Sequence, residues 1–304
     1  MTDYIKQYGN PISFPDNGQS WVILSDIEKR IKDKIEKIGK PLKNWDIKIF
    51  RGILTGCNEA FIIDKQKRDE LITKDKKSAE IICPILRGRD IKRYGYEFAD
   101  QYIIATFPSR KYDINDYPAV RDHLIEYGKN KLEQSGKPGA RKKTTHKWFE
   151  IQDTIAYWDD FSKQKIMWAE TMRIHKSDIQ NFLRFGFTKT GIFTDKTCFF
   201  ATGNNLYYLL AYLNSSLGRY LCKRYVSILD NGGYLMQKTY LEPVPIIKPI
   251  NEKIKELEMI CKKIIEGQND KYEFEINKKI YELYGFSQDD IKYIENDNFE
   301  PLSR

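Results

Sequence analysis

Apolar positions change their period several times along the chain, and each change marks an element. Ile27, Ile31, Ile35 and Ile38 recur at spacings of four, four and three, which is one face of a helix. Ser25 and Glu28 precede that face in the S-x-x-E pattern of a capping box, and Gly39 with Pro41 stops it. The other face carries Lys, Asp, Glu and Arg, so the helix lies on a surface. Short β-branched and aromatic runs follow at Ile47–Phe50, Ala60–Ile63, Tyr102–Thr106, Lys165–Trp168, Phe182–Phe187 and Thr197–Ala201, and these predict strands. Helical spacing returns at Leu206, Leu209, Leu210, Leu213 and Leu217, predicting a buried helix over Asn205–Tyr220. The Pro-rich stretch 242–249 reads as an extended exit, because each Pro disfavours helix in the residue before it. Three helices are expected after it: Glu252–Glu266, Lys271–Tyr284, and a short one capped by Ser287 with Asp290.

The pattern predicts an α+β fold. It divides into an N-terminal lead of residues 1–19, a mixed β-rich body over 20–245, and a C-terminal helical appendage over 250–304. A stretch from Gly128 to Lys147 interrupts the body with only Leu132 and Ala140 apolar, and it carries seven Lys or Arg residues and His146. Loops of this length are uncommon unless functional or disordered. A glycine-bearing basic loop is suited to a phosphate backbone, and a solvated excursion is the bland alternative.

Charge sharpens this picture. The chain has 51 basic and 43 acidic residues, net +8. Residues 251–297 hold 8 Lys and 12 acidic residues, so the first 250 residues carry the whole positive excess, net +12. A basic body with a mildly acidic tail fits a polyanionic partner. Five cysteines, an odd number with no C-x-x-C, read as reduced thiols with neither a disulfide framework nor a zinc site. The three histidines are far apart and suggest no metal site. The opening residues do not read as a signal peptide, and no apolar run approaches the ~18 residues of a membrane span. A cytoplasmic protein with no membrane partner is expected.

Catalytic motifs are missing. There is no G-x-G-x-x-G after a strand, no G-x-x-x-x-G-K-[ST], no H-E-x-x-H, no G-x-S-x-G and no Asn/Asp-Pro-Pro-Tyr. Pro15-Asp16 followed by Asp46-Ile-Lys48 imitates the P-D…D-x-K arrangement of Mg²⁺ nucleases. D-x-K also occurs at Asp75–Lys77 and Asp90–Lys92, as expected of so charged a chain. No catalytic residue, metal ligand or cofactor site is therefore assigned to this chain.

Two segments carry a resemblance. Residues 51–63 read Arg-Gly-Ile-Leu-Thr-Gly-Cys-Asn-Glu-Ala-Phe-Ile-Ile, and residues 81–94 read Ile-Ile-Cys-Pro-Ile-Leu-Arg-Gly-Arg-Asp-Ile-Lys-Arg-Tyr. Together they resemble the signature of TaqI-like C-terminal specificity domains, which serve type IIG restriction enzymes and adenine-N6 DNA methyltransferases. Lys147–Glu150 with Lys163–Trp168, the Leu213-Asn214-Ser215 helix, Leu241–Pro249 and Ile280–Gly285 extend the similarity over most of the chain. The resemblance implies a target-recognition module for double-stranded DNA. It would act with a methyltransferase part in cis or in trans that uses S-adenosylmethionine, with Mg²⁺ where the parent also cuts.

The signature residues Gly52, Thr55, Gly56, Asn58, Phe61, Pro84, Gly88, Asp90 and Tyr94 read mainly as scaffold. Gly would allow turns, and Asn58 and Asp90 would fix them by hydrogen bonds. Base and phosphate contacts would then come from three variable stretches. These are the basic loop through Arg141, Lys142, Lys143, His146 and Lys147; Arg173, His175 and Lys176; and Ser227, Asn231, Tyr234, Gln237 and Lys238. Lys111 joins the phosphate candidates. Arg suits guanine O6 and N7, and Asn or Gln suits adenine N6 and N7. The helix Asp26–Ile38 is the candidate contact with the catalytic part. Two rival readings stand beside this one: a self-contained Mg²⁺ endonuclease, and a protein-interaction module that ignores DNA.

Overall fold

The computed structural model describes residues 24–173, 182–189, 191–230, 232–248, 251–267 and 271–296. At its centre is a four-stranded antiparallel sheet in the order Phe185–Thr188, Lys165–Ala169, Cys198–Gly203, Ile47–Arg51. Successive side chains of a strand point to opposite faces. Ile49, Ile166, Trp168, Phe199 and Ala201 accordingly enter one core, and Met167, Cys198 and Phe200 enter the other. Burial on both faces explains why these strands read as unbroken apolar runs.

The core on the Met167 side is closed by a second sheet, ordered Phe193–Thr194, Ile82–Leu86, Gln101–Ile104, Ile62–Asp64. The helices Lys65–Lys74 and Pro118–Leu132 pack there through Leu71 and through Val120 and Leu124. The sequence pattern conceals both helices. The first buries only Leu71, and the second is kinked at Gly128, whose φ of 127° is outside the helical region. The expected strand Ala60–Ile63 begins only at Ile62, because Asn58–Phe61 forms one helical turn after the left-handed Gly56.

The core on the Trp168 side is helical. The expected helix Asn205–Tyr220 is two helices, Leu206–Asn214 and Ser216–Tyr225. Ser215 breaks it: its backbone is extended, and its Oγ accepts from the Gly218 amide at 3.0 Å as a new N-cap. Gly218 is required by the closeness of that turn, since a Cβ there would lie 2.2 Å from the Tyr212 carbonyl oxygen. Helices Asn251–Ile265, Lys271–Tyr284 and Gln288–Glu295 follow. Their Ile254, Leu257, Ile276, Ile280 and Ile294 share one core with Ile31, Tyr212 and Leu217. The change of pattern near residue 245 thus marks a change of secondary structure within a continuous core.

Two ties bind the ends of the chain together. Pro245–Ile247 pairs antiparallel with Gly39–Pro41, so the Pro-rich exit is a docked strand. The Asp290 carboxylate, fully buried, accepts from Arg30 Nε at 2.9 Å and from Lys34 Nζ at 2.8 Å. The helix Asp26–Ile38, with its Ser25–Glu28 capping box present, is therefore anchored to the last helix.

Candidate nucleic-acid interface

Where the central sheet ends, Ala169 passes through Glu170 into a small three-stranded sheet ordered Ser227–Ile228, Tyr234–Leu235, Thr171–Met172. This sheet brings two of the variable stretches side by side. It forms one wall of a cleft of about 1120 Å³ whose other wall is Arg87–Arg93 with Asp195 and Thr197. Six basic side chains line the cleft: Arg87, Arg89, Lys92, Arg93, Arg173 and Arg184. Among the described residues only Glu97, Glu170 and Asp195 oppose them, so this lining is cationic.

Five of these differ in their partners. Arg93 is committed to the fold: Nε and Nη2 hold the Glu273 carboxylate at 3.0 and 2.6 Å, and Nη1 and Nη2 reach the Leu183 and Asn214 carbonyls. Arg87 grips Asp90 with Nε at 3.0 Å and Nη2 at 3.1 Å, and its own amide donates to the same carboxylate. Lys92 reaches Glu97 at 3.1 Å. Arg89 and Arg173 are exposed and form no ion pair with a described residue, which leaves their guanidinium donors for a ligand.

The signature segments build this wall. Gly52 is required by close approach: a Cβ there would stand 1.9 Å from the Asp195 carbonyl oxygen. Gly88 donates its amide to Thr197 Oγ1 at 2.9 Å, and that hydroxyl donates in turn to Asp195. Burial raises the Asp195 pKa against the lowering effect of its Thr197 bonds. Thr55 Oγ1 donates to Asn58 at 2.6 Å. Phe61 is wholly buried, and Pro84 sits in the Ile82–Leu86 strand opposite Tyr102. Tyr94, left-handed at φ 63°, is buried beneath the Arg93 guanidinium, and burial pushes its pKa up.

The basic loop lies elsewhere. It joins the core on the Met167 side through Leu132, and none of its residues lines the cleft. It is also well ordered by its own bonds. The Arg141 amide donates to Glu133, the Thr144 amide donates to Gln134, and Gln134 Nε2 donates to the Lys147 and Glu150 carbonyls. Arg141 corrects the reading of this loop. Its guanidinium is buried over the Phe61 ring and donates to Leu132 O at 2.9 Å, Thr55 O at 3.0 Å and Trp148 O at 2.7 Å. Burial pushes its pKa down to about 10. Three carbonyls take three of its five N–H donors and the side chain is buried, so it braces the fold. Lys142, Lys143 and Lys147 stay exposed. His146 is half-buried with Nε2 3.3 Å from the Thr154 hydroxyl. Lys111 is exposed at the end of a short 3-10 turn.

Tyr234 is likewise a correction: it is buried, packs its ring tilted against that of Phe182 at 5.1 Å and pairs with Met172. Ser227 is half-buried and pairs with Leu235, and Lys238 is exposed with Glu242 3.6 Å away. Gln237 Nε2 donates to Glu170 Oε1 at 3.0 Å. His175, Lys176 and Asn231 lie outside the described residues, as does Asp16. Asp46 and Lys48 line a separate shallow depression with Asp160 and Lys163. There the Asp46 carboxylate accepts from Asn204, and that of Asp160 accepts from Thr202 and Lys163. Among the described residues no three His, Cys, Asp or Glu side chains converge as a metal site, and no helix is long and apolar enough to cross a membrane.

Sequence reasoning missed Arg87, Arg89, Lys92 and Arg184 as parts of the interface. The signal was present in Arg-Gly-Arg-Asp-Ile-Lys-Arg, four basic residues in seven, but in so charged a chain a basic run does not by itself mark a cleft.

The described residues thus form an α+β fold with a cationic cleft beside its central sheet. The family model for the TaqI-like C-terminal specificity domain matches residues 83–246, more than half of the chain, and the chain belongs to that family. A search of curated proteins gives no match. Among solved structures, the fold is similar to that of the type IIL restriction–modification enzyme MmeI in complex with DNA, with a TM-score of 0.59 and 14% identity over 85% of this chain. It is also similar to that of the type IIG restriction endonuclease BpuSI, with a TM-score of 0.51 and 12% identity over 87% of this chain. The chain covers 35% and 32% of those two proteins.

Proposed function

We propose that this chain reads DNA sequence for a restriction–modification enzyme, with the duplex lying along the cationic cleft. The observation that carries this reading is the convergence of Arg89, Arg173 and Leu229, the last beside the strand pair Ser227–Ile228 and Tyr234–Leu235, on one cleft. Arg89 and Arg173 would meet base edges, since a guanidinium can hold guanine O6 and N7 with two parallel bonds. Lys142, Lys143, Lys147 and Lys111 are exposed outside the cleft and would meet phosphates, where charge matters more than position.

The parent enzyme would transfer a methyl group from S-adenosylmethionine to adenine N6, and its catalytic part would flip the adenine out of the stack. This chain would contribute sequence choice and one side of the clamp. The outward face of the helix Asp26–Ile38, bearing Lys29, Lys32, Asp33 and Lys37, is the proposed contact with that part. A cytoplasmic location accompanies this role.

The test is fluorescence anisotropy of the purified chain against a randomised duplex pool at two salt concentrations, with sequencing of the bound fraction. Phosphate contacts release counterions, so affinity should fall steeply with salt while a short motif is enriched. Binding that ignores salt, or no binding at low salt, overturns the reading in favour of a protein-interaction module.

A further inference from the structure

Glu170 occupies an unusual junction. Its amide donates to the Thr197 carbonyl at 2.7 Å, and its carbonyl accepts from the Met236 amide at 2.7 Å. Trp168 Nε1 donates to the Met236 carbonyl at 2.7 Å, so the backbone just before Gln237 is held on both sides. The Glu170 carboxylate lines the cationic cleft. Arg51 Nη2 donates to both its oxygens, at 3.3 and 3.2 Å, and Gln237 Nε2 donates to Oε1 at 3.0 Å.

A carboxylate paired with an arginine offers only acceptors, so the Gln237 amide must turn its nitrogen toward Glu170. Gln237 holds the N-cap position of the one-turn helix Lys238–Leu241, yet its side chain makes no capping bond. Among the described residues the amide makes no other bond, which leaves its Oε1 and one N–H unspent. An acceptor beside a donor is the pair that the major-groove edge of adenine takes, through N6–H and N7.

We propose that Gln237 reads an adenine and that Glu170 is the positioning residue that fixes which way its amide faces. Gln237 is half-buried and does not itself line the cleft but bonds to Glu170, which does, and the assignment rests on the reading of the cleft as a DNA site. Arg51 supports the arrangement by anchoring the carboxylate to the central sheet.

The experiment compares bound-fraction motifs of the full chain and its variants from one randomised duplex pool, with thermal unfolding of each. Gln237→Ala is expected to lose the adenine preference at one position, by about 5- to 150-fold, and to keep the rest of the motif. Glu170→Gln places both a donor and an acceptor beside Gln237, lets the amide turn, and should relax the same position at an unchanged melting temperature. A merely structural role for Glu170 would weaken all sequences alike. The proposal is overturned if Gln237→Ala keeps every preference, if Glu170→Gln relaxes a different position, or if either variant lowers affinity uniformly. A wild-type chain that binds without any motif fails at the earlier step and overturns the DNA-reading function together with this assignment.

Discussion

The Tyr212 and Tyr284 hydroxyls meet at 2.7 Å in the buried interior, and the Tyr284 oxygen also accepts from the Ile247 amide at 3.0 Å. Tyr208 closes the network by donating to the Ile247 carbonyl at 2.7 Å. A helix of the body, the Pro-rich strand and a helix of the C-terminal region are thereby joined through polar groups away from water. Tyr284→Phe leaves the Ile247 N–H and the Tyr212 hydroxyl short of a partner. It should cost about 1–3 kcal/mol, the usual penalty for a buried polar group left unpaired. Urea unfolding should remain a single transition in both proteins, because the C-terminal helices share the core of the body. A separate early transition for residues 251–296 would show that the region folds independently.

Arg141 separates fold from function within the basic loop. Arg141→Met removes the donors of three carbonyls and should destabilise by roughly 2–4 kcal/mol, seen as a lower urea midpoint. Lys143→Ala and Lys147→Ala should leave stability within about 0.5 kcal/mol, as for most surface changes. Their effect belongs in DNA binding, as a salt dependence shallower by about one ion per residue and equal for all sequences. An Arg141 variant of unchanged stability would contradict its bracing role.

Arg89→Ala and Arg173→Ala should each weaken binding to the preferred motif by about 1–3 kcal/mol and relax one base position. Competition anisotropy with matched and single-mismatch duplexes measures both quantities. A uniform loss over all duplexes would reassign that arginine to phosphate.

Lys165 is wholly buried, and its Nζ donates to the Phe161 carbonyl at 2.6 Å and the Lys163 carbonyl at 3.3 Å. Burial pushes its pKa down to about 8. An unfolded lysine titrates near 10.4, so between about pH 8 and 10.4 the unfolded chain binds the extra proton. Stability contributed at this site must therefore rise with pH across that window, by at most roughly 3 kcal/mol, and stay flat below it. Chemical denaturation of wild type and Lys165→Met at pH 7, 8.5 and 10 checks the sign. A difference between the two proteins that does not change over that range would refute the assignment.

Several elements could be read from residue order. The helix Asp26–Ile38 was legible because its isoleucines keep one face and Ser25 with Glu28 closes its start. The strands Ile47–Arg51, Lys165–Ala169 and Cys198–Gly203 were legible because β-branched and aromatic side chains crowd them. The helix Lys65–Lys74 was not, since a single buried leucine leaves no period to detect. The break at Ser215 was hidden by leucines that continue on its far side with nearly the same spacing.

Residue order alone settled the chemistry that was on offer: basic side chains, short turns, apolar faces, and no catalytic signature. Arg141 and Arg173 are the same residue type in similarly polar surroundings, and nothing local distinguishes them. Packing does, because one guanidinium is enclosed by the carbonyls of Leu132, Thr55 and Trp148 and the other faces an open cleft. The cleft itself is assembled from residues 87–97, 169–173, 184, 195–197 and 229. Periodicity reports only which side of its own element a residue takes. Which distant elements share a wall depends on how both faces of the central sheet are covered, and that is decided by the tertiary structure.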